Sequence, residues 1–191
     1  MIGLSEKVAG IAPSATIEIS NAAKRMAKEG IDVISLSIGE PDFDTPEHIK
    51  DACINALRRG ETHYAPSAGI PELTAAIAEK ITRENGFPVL QDEVIVTCGA
   101  KNAIYEAMEA VLNPEDEVLL LDPSWVSYEP CARIAGAKVR HHALDPATFQ
   151  VDDTLLSAVG PRTRMIVVNS PSNPSGAVLD ADSLGLIADI C

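Results

Sequence analysis

The sequence has no closely spaced pair of cysteines. Cys53, Cys98, Cys131 and Cys191 are scattered, and no Cys-x-x-Cys occurs. This spacing argues against a disulfide framework and against a cysteine metal site, and its simplest reading is reduced thiols in a cytoplasmic protein. Cys98 reads as a small buried filler. No apolar run approaches the length of a membrane span. The opening Met1-Ile2-Gly3-Leu4-Ser5-Glu6-Lys7 shows no basic region followed by an apolar core, and Gly3 is out of the myristoylation position, so neither leader is expected. Positive charge is scarce, with 15 Lys and Arg against 28 Asp and Glu and a net charge of −13. That balance argues against nucleic acid and anionic membranes as partners. An anionic ligand remains compatible, because backbone amides and a few cations hold one locally. Gly-x-Gly-x-x-Gly is absent, so a dinucleotide fold has no fingerprint here.

What is present suits a globular chain. Its 191 residues, 46% hydrophobic and 23% charged, can form one domain with a substantial core, with or without a small appendage. Ser14 or Thr16 can cap a helix running to about Glu29 and stopped by Gly30. Val33 to Ile38 alternates as a short strand. Thr45 as cap and Pro46 at the first helical position predict a helix ending at Arg58-Arg59-Gly60. Pro71 opens another, closed by Gly86. From residue 92 strands and helices alternate: strands at 93–97, 117–121, 138–144 and 164–168, and helices at 100–112, 124–135, 155–159 and 180–191. His141-His142 weaken the third of these strands. This alternation predicts a three-layer α/β/α domain with a mainly parallel sheet.

Four stretches can carry chemistry, and each also has a plain reading. Thr97-Cys98-Gly99-Ala100-Lys101-Asn102 ends a strand and starts a helix. Free amides and the helix dipole there suit a phosphate, although a tight strand–helix turn explains the residues equally well. Asp122-Pro123-Ser124-Trp125-Val126-Ser127-Tyr128 holds the single tryptophan at the end of a strand. A lone Trp is usually core or interface, but an indole at a strand end can also stack on a flat ring and donate its N–H to a carboxylate. Gly39 follows a strand and permits close approach to a ligand, or serves a turn. The chain Met165 to Gly176 runs from an apolar strand into a stiff polar loop with two prolines, Pro171 and Pro174. Such a loop at the carboxyl end of a strand is where open α/β sheets hold ligands. The Asn173 amide can face a ring oxygen in either protonation state.

Asn173-Pro174-Ser175-Gly176 resembles the Asn-Pro-Thr/Ser-Gly loop of the class I/II aminotransferases, pyridoxal-phosphate enzymes of fold type I. Ser37-Ile38-Gly39-Glu40-Pro41-Asp42-Phe43 resembles that family's Gly-Glu-Pro-Asp-Phe segment. Pro13-Ser14-Ala15-Thr16 and Trp125-Val126-Ser127-Tyr128 resemble its bacterial aspartate subgroup, some of whose members accept prephenate. The resemblance runs from Leu4 to Cys191. It implies a homodimer in which Gly99, Ala100 and Lys101 hold the cofactor phosphate, Ala100 standing where aspartate-type members have Gly. Trp125 would stack on the ring and touch the substrate. Asn173 would bind the ring oxygen and also touch the substrate, the Gly39 N–H would face the substrate α-carboxylate, and Tyr64 would reach the phosphate of the neighbouring subunit. Residues 1–45 would form an arm and small-domain segment, and residues 46–191 part of the cofactor domain. Asp122-Pro123 and Asn173-Pro174 are expected cis.

The family's Schiff-base lysine, ring acid and substrate arginine lie beyond the Asn-Pro loop. None of Lys7, Lys24, Lys28, Lys50, Lys80, Lys101 and Lys138 matches that lysine. The chain therefore reads as an inactive fragment of an enzyme that moves an amino group from an amino acid, aspartate first among candidates, to a 2-oxo acid. A lyase or synthase of the same fold, and a non-catalytic aminotransferase-like module, are the alternatives.

Overall fold

The computed structural model describes residues 3–191. Along the chain run helices α1 (Glu6–Ala9), α2 (Ala15–Lys28), α3 (Glu47–Arg58), α4 (Pro71–Asn85) and α5 (Ala100–Val111). They are followed by strand β1 (Glu117–Asp122), α6 (Tyr128–Ile134), β2 (Lys138–Ala143), α7 (Leu155–Ala158), β3 (Thr163–Val167) and α8 (Ala181–Ile190). The chain divides into two compact units, one of Met1–Ala12 with Cys98–Cys191 and one of Pro13–Thr97.

The first unit is built around β1. Val118, Leu119 and Leu120 are completely buried and Leu121 nearly so. A strand buried on both faces must be central, and among the described residues the sheet runs β2-β1-β3 with both pairings parallel. Period-two alternation sends Val118 and Leu120 to one face, where they pack with Met108 and Leu112 of and after α5 and Tyr128, Cys131 and Ala132 of α6. Leu119 and Leu121 go to the other, against Val151, Leu155, Leu179 and Ile187. Each buried leucine contributes about 1.5–3 kcal/mol relative to exposure. The result is the expected α/β/α sandwich with a parallel sheet.

The amino end of the sheet is pinned by charge. The Glu117 side chain is only 9% exposed. Its Oε1 accepts from Arg162 Nη2 at 3.0 Å and Nε at 3.2 Å, and its Oε2 from Arg140 Nη1 at 3.4 Å. The Arg162 guanidinium holds this carboxyl below its ordinary range, with Arg140 adding to the effect. At β1's opposite end the polypeptide turns through cis Asp122-Pro123, as expected, and Asn173-Pro174 is cis too, joined by cis Ser170-Pro171.

Three expectations need correction. Helix α6 starts at Tyr128, not Ser124. A start at Ser124 would put Pro130 in the helix interior, without a donor and against the carbonyl four residues back. A start at Tyr128 puts it in the tolerated first turn. Pro46 is the extended residue before α3, with ψ 140°, and Thr45 is not its cap. Segments 33–38 and 93–97 are not strands. Ile34 and Leu36 are almost fully exposed while Ser35 and Ser37 bond each other at 3.0 Å. Val94 is extended, and the Val96 N–H donates to Ala68 O at 2.9 Å. Neither segment has a partner strand among the described residues, Glu93 closing a 3-10 turn instead, and a strand exists only by pairing.

In the second unit α4 follows its sequence signals. Pro71 opens it and Gly86, at φ +80°, closes it in the left-handed conformation. Gly69 packs so closely on Val96 that an added Cβ would lie 2.8 Å from its Cγ2.

Candidate functional site

The carboxyl ends of β1 and β3 carry the loops that hold Trp125 and Asn173. A recess lies there, walled by Leu121 of β1, Val167 of β3, Leu144 just past β2, Tyr128 of α6, and Asn169 and Asn173 of the loop after β3. Parallel sheets place ligands at this edge because loops, not packed helices, cover it. That loop is held in shape from within. The Ser172 N–H donates to Ala177 O at 2.8 Å and the Gly176 N–H to Ser172 O at 2.7 Å. Ser170 Oγ accepts from the Leu179 N–H at 3.0 Å. With its carboxamide oxygen turned toward the backbone, Asn169 accepts from Asn173 N at 3.2 Å and donates to Pro171 O at 3.2 Å. These bonds fix the backbone under Asn173 and leave its side chain exposed at the recess wall.

Beside the recess stand the other candidates of this unit. Gly99 precedes α5 with φ +87° and ψ +164°, a conformation almost restricted to glycine. Its carbonyl accepts from the Asn102 and Ala103 amides at 3.1 and 3.2 Å, which sets the first turn. The amides of Ala100 and Lys101 sit at the helix start, where no carbonyl lies four residues back within the helix. No acidic residue occupies that turn. The Lys101 ammonium lies 5.1 Å from the centre of the Trp125 ring, within cation–π range. Trp125 is half-buried and meets Tyr128 edge-on, the ring centres 5.4 Å apart. Tyr128 is buried, and burial pushes its phenol above its ordinary range, so it stays protonated.

Lys101, Trp125, Tyr128 and the Asn173 recess thus form a continuous series along one sheet edge. Asn173 lines the recess, whereas Gly99 and Trp125 do not, and Tyr128 is the link between them. Gly39 and Tyr64 belong to the second unit, where both are exposed. Cys98 is exposed, contrary to the reading of it as buried filler, because it lies in the turn before α5 outside both core clusters. The sequence signals the role of Tyr128 only by its place three residues after Trp125, at the start of a helix. Among the described residues no group of three or more His, Cys, Asp or Glu is placed to hold a metal ion, and no helix is long and apolar enough to cross a membrane. The chemistry this arrangement offers is a helix start and a cation for an anionic group, an indole face for a flat ring, and a carboxamide for a polar ring substituent.

The aminotransferase class I and II family matches this sequence over residues 31–191. The chain belongs to that family. Among the aminotransferases most similar to it is the aspartate/prephenate aminotransferase of Thermus thermophilus, 47% identical over 190 residues, which cover 98% of this chain and 49% of that protein. The aspartate aminotransferase of Geobacillus stearothermophilus is 41% identical over 190 residues, again 98% of this chain and 48% of its own length. The chain thus spans about half the length of the curated relatives it matches. In three dimensions it resembles the T. thermophilus aspartate aminotransferase with maleate, with a TM-score of 0.96 at 46% identity over all of this chain and 50% of that one. The Thermotoga maritima aspartate aminotransferase aligns with a TM-score of 0.92 at 35% identity over 98% of this chain and 50% of that one. In this family member Trp125 and Asn173 sit on the loops after β1 and β3, and Gly99, Ala100 and Lys101 sit at the start of α5.

Proposed function

We propose that the whole protein to which this chain contributes is a pyridoxal 5'-phosphate-dependent aminotransferase. It moves an amino group from an amino acid, aspartate by preference, to a 2-oxo acid. The observation that carries the reading is the Lys101 ammonium 5.1 Å from the Trp125 ring, beside the glycine-capped start of α5. The donor set fits the cofactor. Its phosphate needs amides and a cation, which Gly99, Ala100 and Lys101 supply. Its flat ring needs an apolar face, which Trp125 supplies, and its ring oxygen needs a neutral polar partner, which Asn173 supplies. When bound, pyridoxal phosphate serves as the electron sink for the reaction.

The chain's own residues bind and orient. The α5 amides hold the phosphate end in place and Lys101 neutralises part of its charge. Trp125 excludes water from one ring face and turns its indole N–H toward a substrate carboxylate, and the Gly39 N–H binds the α-carboxylate. Tyr64 acts across a homodimer, donating its phenol to the neighbouring subunit's phosphate group, and we place the enzyme in the cytoplasm. None of the chain's seven lysines takes the cofactor-bearing position, so the 191-residue chain by itself is inactive. Residues 1–45 then form the arm and small-domain segment and residues 46–191 part of the cofactor domain.

The test is turnover of aspartate and 2-oxoglutarate by the whole protein, followed as oxaloacetate formed. Transamination that requires added pyridoxal phosphate supports the reading. A protein saturated with cofactor that eliminates or condenses its substrate, without transferring the amino group, contradicts it.

A further inference from the structure

His141 lies on the exposed edge strand β2, yet its ring is not idle. Nδ1 is 2.8 Å from Asp122 Oδ2, and Nε2 is 3.6 Å from Glu129 Oε2. Asp122 is the last residue of β1 and Glu129 the second of α6. Between them runs the loop 123–127 that carries Trp125. The remaining carboxylate oxygens are occupied. Asp122 Oδ1 accepts from Ser124 Oγ at 2.8 Å, and Glu129 Oε1 from Arg133 at 2.7 and 2.8 Å. One imidazole is therefore hydrogen-bonded to the entry of the loop that presents the tryptophan and stands within ion-pair distance of its exit.

We propose that His141 is a positioning residue for Trp125, holding the entry and exit of its loop together when protonated and releasing the α6 end when neutral. The number of N–H donors on the ring sets this dependence. An imidazolium donates from both nitrogens, so it serves Asp122 and Glu129 at once. A neutral ring has one N–H. The 2.8 Å contact keeps it on Asp122, and the Nε2 lone pair then faces the Glu129 carboxylate. The charged groups around the ring are Asp122 from β1 and Glu129 and Arg133 from α6, with Arg133 committed to Glu129. Along β2 itself, Lys138 pairs with Glu115 and Arg140 with Glu117. His142 lies on the opposite face, where Asp152 feels its charge, and α7 bears no titratable side chain. The imidazole is 42% exposed, so protons reach it freely.

The proposal deepens the reading of Trp125 as a ring-stacking residue, but its test needs no cofactor. Trp125 is the chain's only tryptophan, so intrinsic emission and its quenching by acrylamide report this loop alone. The 191-residue chain is titrated from pH 8 to pH 5. A step in emission is expected within that range, with acrylamide quenching about twofold weaker on the acid side. The step should vanish in His141→Gln and persist in His142→Gln. In Glu129→Gln, which retains the imidazole, its amplitude should fall to about half or less. A flat profile in the parent, or a step that survives in His141→Gln, overturns the proposal. Should His141→Gln fail to fold, an undiminished step in Glu129→Gln overturns it equally. Failure here leaves the aminotransferase reading standing, whereas an intact step in a chain that ignores pyridoxal phosphate counts against that reading alone.

Discussion

Replacing Gly99 by alanine isolates a single physical quantity. The residue sits at φ +87° and ψ +164°, and a Cβ built there meets nothing within 4 Å. No clash accompanies the change, so the whole penalty is conformational. A non-glycine residue in this region costs about 1–3 kcal/mol. Gly185 is the matched control. It lies inside α8 in the same unit, outside the left-handed region, and its added Cβ also meets nothing. Alanine there should stabilise by about 0.4–1 kcal/mol through the unfolded chain and helix propensity. The assay is urea unfolding followed by Trp125 fluorescence, which reports the unit containing both glycines. Inorganic phosphate is titrated against each variant. Gly99→Ala should lose about 1–3 kcal/mol and bind phosphate more weakly, because a relaxed backbone turns the Ala100 amide aside. The reasoning is refuted if Gly99→Ala is as stable as the parent and binds phosphate as well.

Other consequences are equally open to measurement. Ser183 is buried and its Oγ accepts from the Val151 N–H at 3.1 Å while bonding Gln150 Oε1 at 3.1 Å. Ser183→Ala strands that amide and should lower the unfolding free energy by about 1–3 kcal/mol, whereas a loss under about 0.5 kcal/mol would mean that another group replaces the hydroxyl. Asp145 is held below the ordinary carboxylate range first by the Thr148 hydroxyl, then by the Thr148 and Ala147 amides, and Asp180 first by the Ser183 amide. A depressed folded-state pKa contributes stability above the unfolded value and loses it as pH falls through the folded one. Acid unfolding should therefore begin below about pH 4, and Asp145→Asn should flatten that stretch of the stability–pH curve. Burial raises the Cys131 thiol, while Cys53, Cys98 and Cys191 are exposed. Brief alkylation followed by mass spectrometry should show three fast adducts, with Cys131 modified only after unfolding.

Where the sequence carried its own local reason, the fold was legible. Val118 to Leu121 is apolar at every position, which only a strand covered on both faces tolerates. Pro71 and Gly86 bracket α4 by backbone chemistry that no tertiary context had to supply. Alternation of strands and helices placed the loops at 122–128 and 169–176 at the carboxyl edge of the sheet, and the start of α5 meets the first of them through Lys101 and Trp125. What escaped depended on partners distant in sequence. Ile34 and Leu36 alternate as a strand should, but alternation describes a face, not the neighbour that must bond it. The start of α6 turned on Pro130, whose position relative to the first turn decides between toleration and breakage. Tyr128 lies within the Trp125 segment, and His141 belongs to a histidine pair that weakens the strand pattern of β2. Their roles follow from contacts with Trp125, Asp122 and Glu129 that no spacing rule encodes.

The central claim is that one sheet edge of this chain receives the phosphate and ring of pyridoxal phosphate, at the α5 start and at Trp125. Quenching of Trp125 emission tests it most directly, with pyridoxal 5'-phosphate titrated against the chain beside pyridoxal lacking the phosphate. Saturable quenching by the phosphate ester, at least about tenfold tighter than by pyridoxal and relieved by excess inorganic phosphate, is the predicted result. Equal and unsaturable quenching by the two compounds would contradict it.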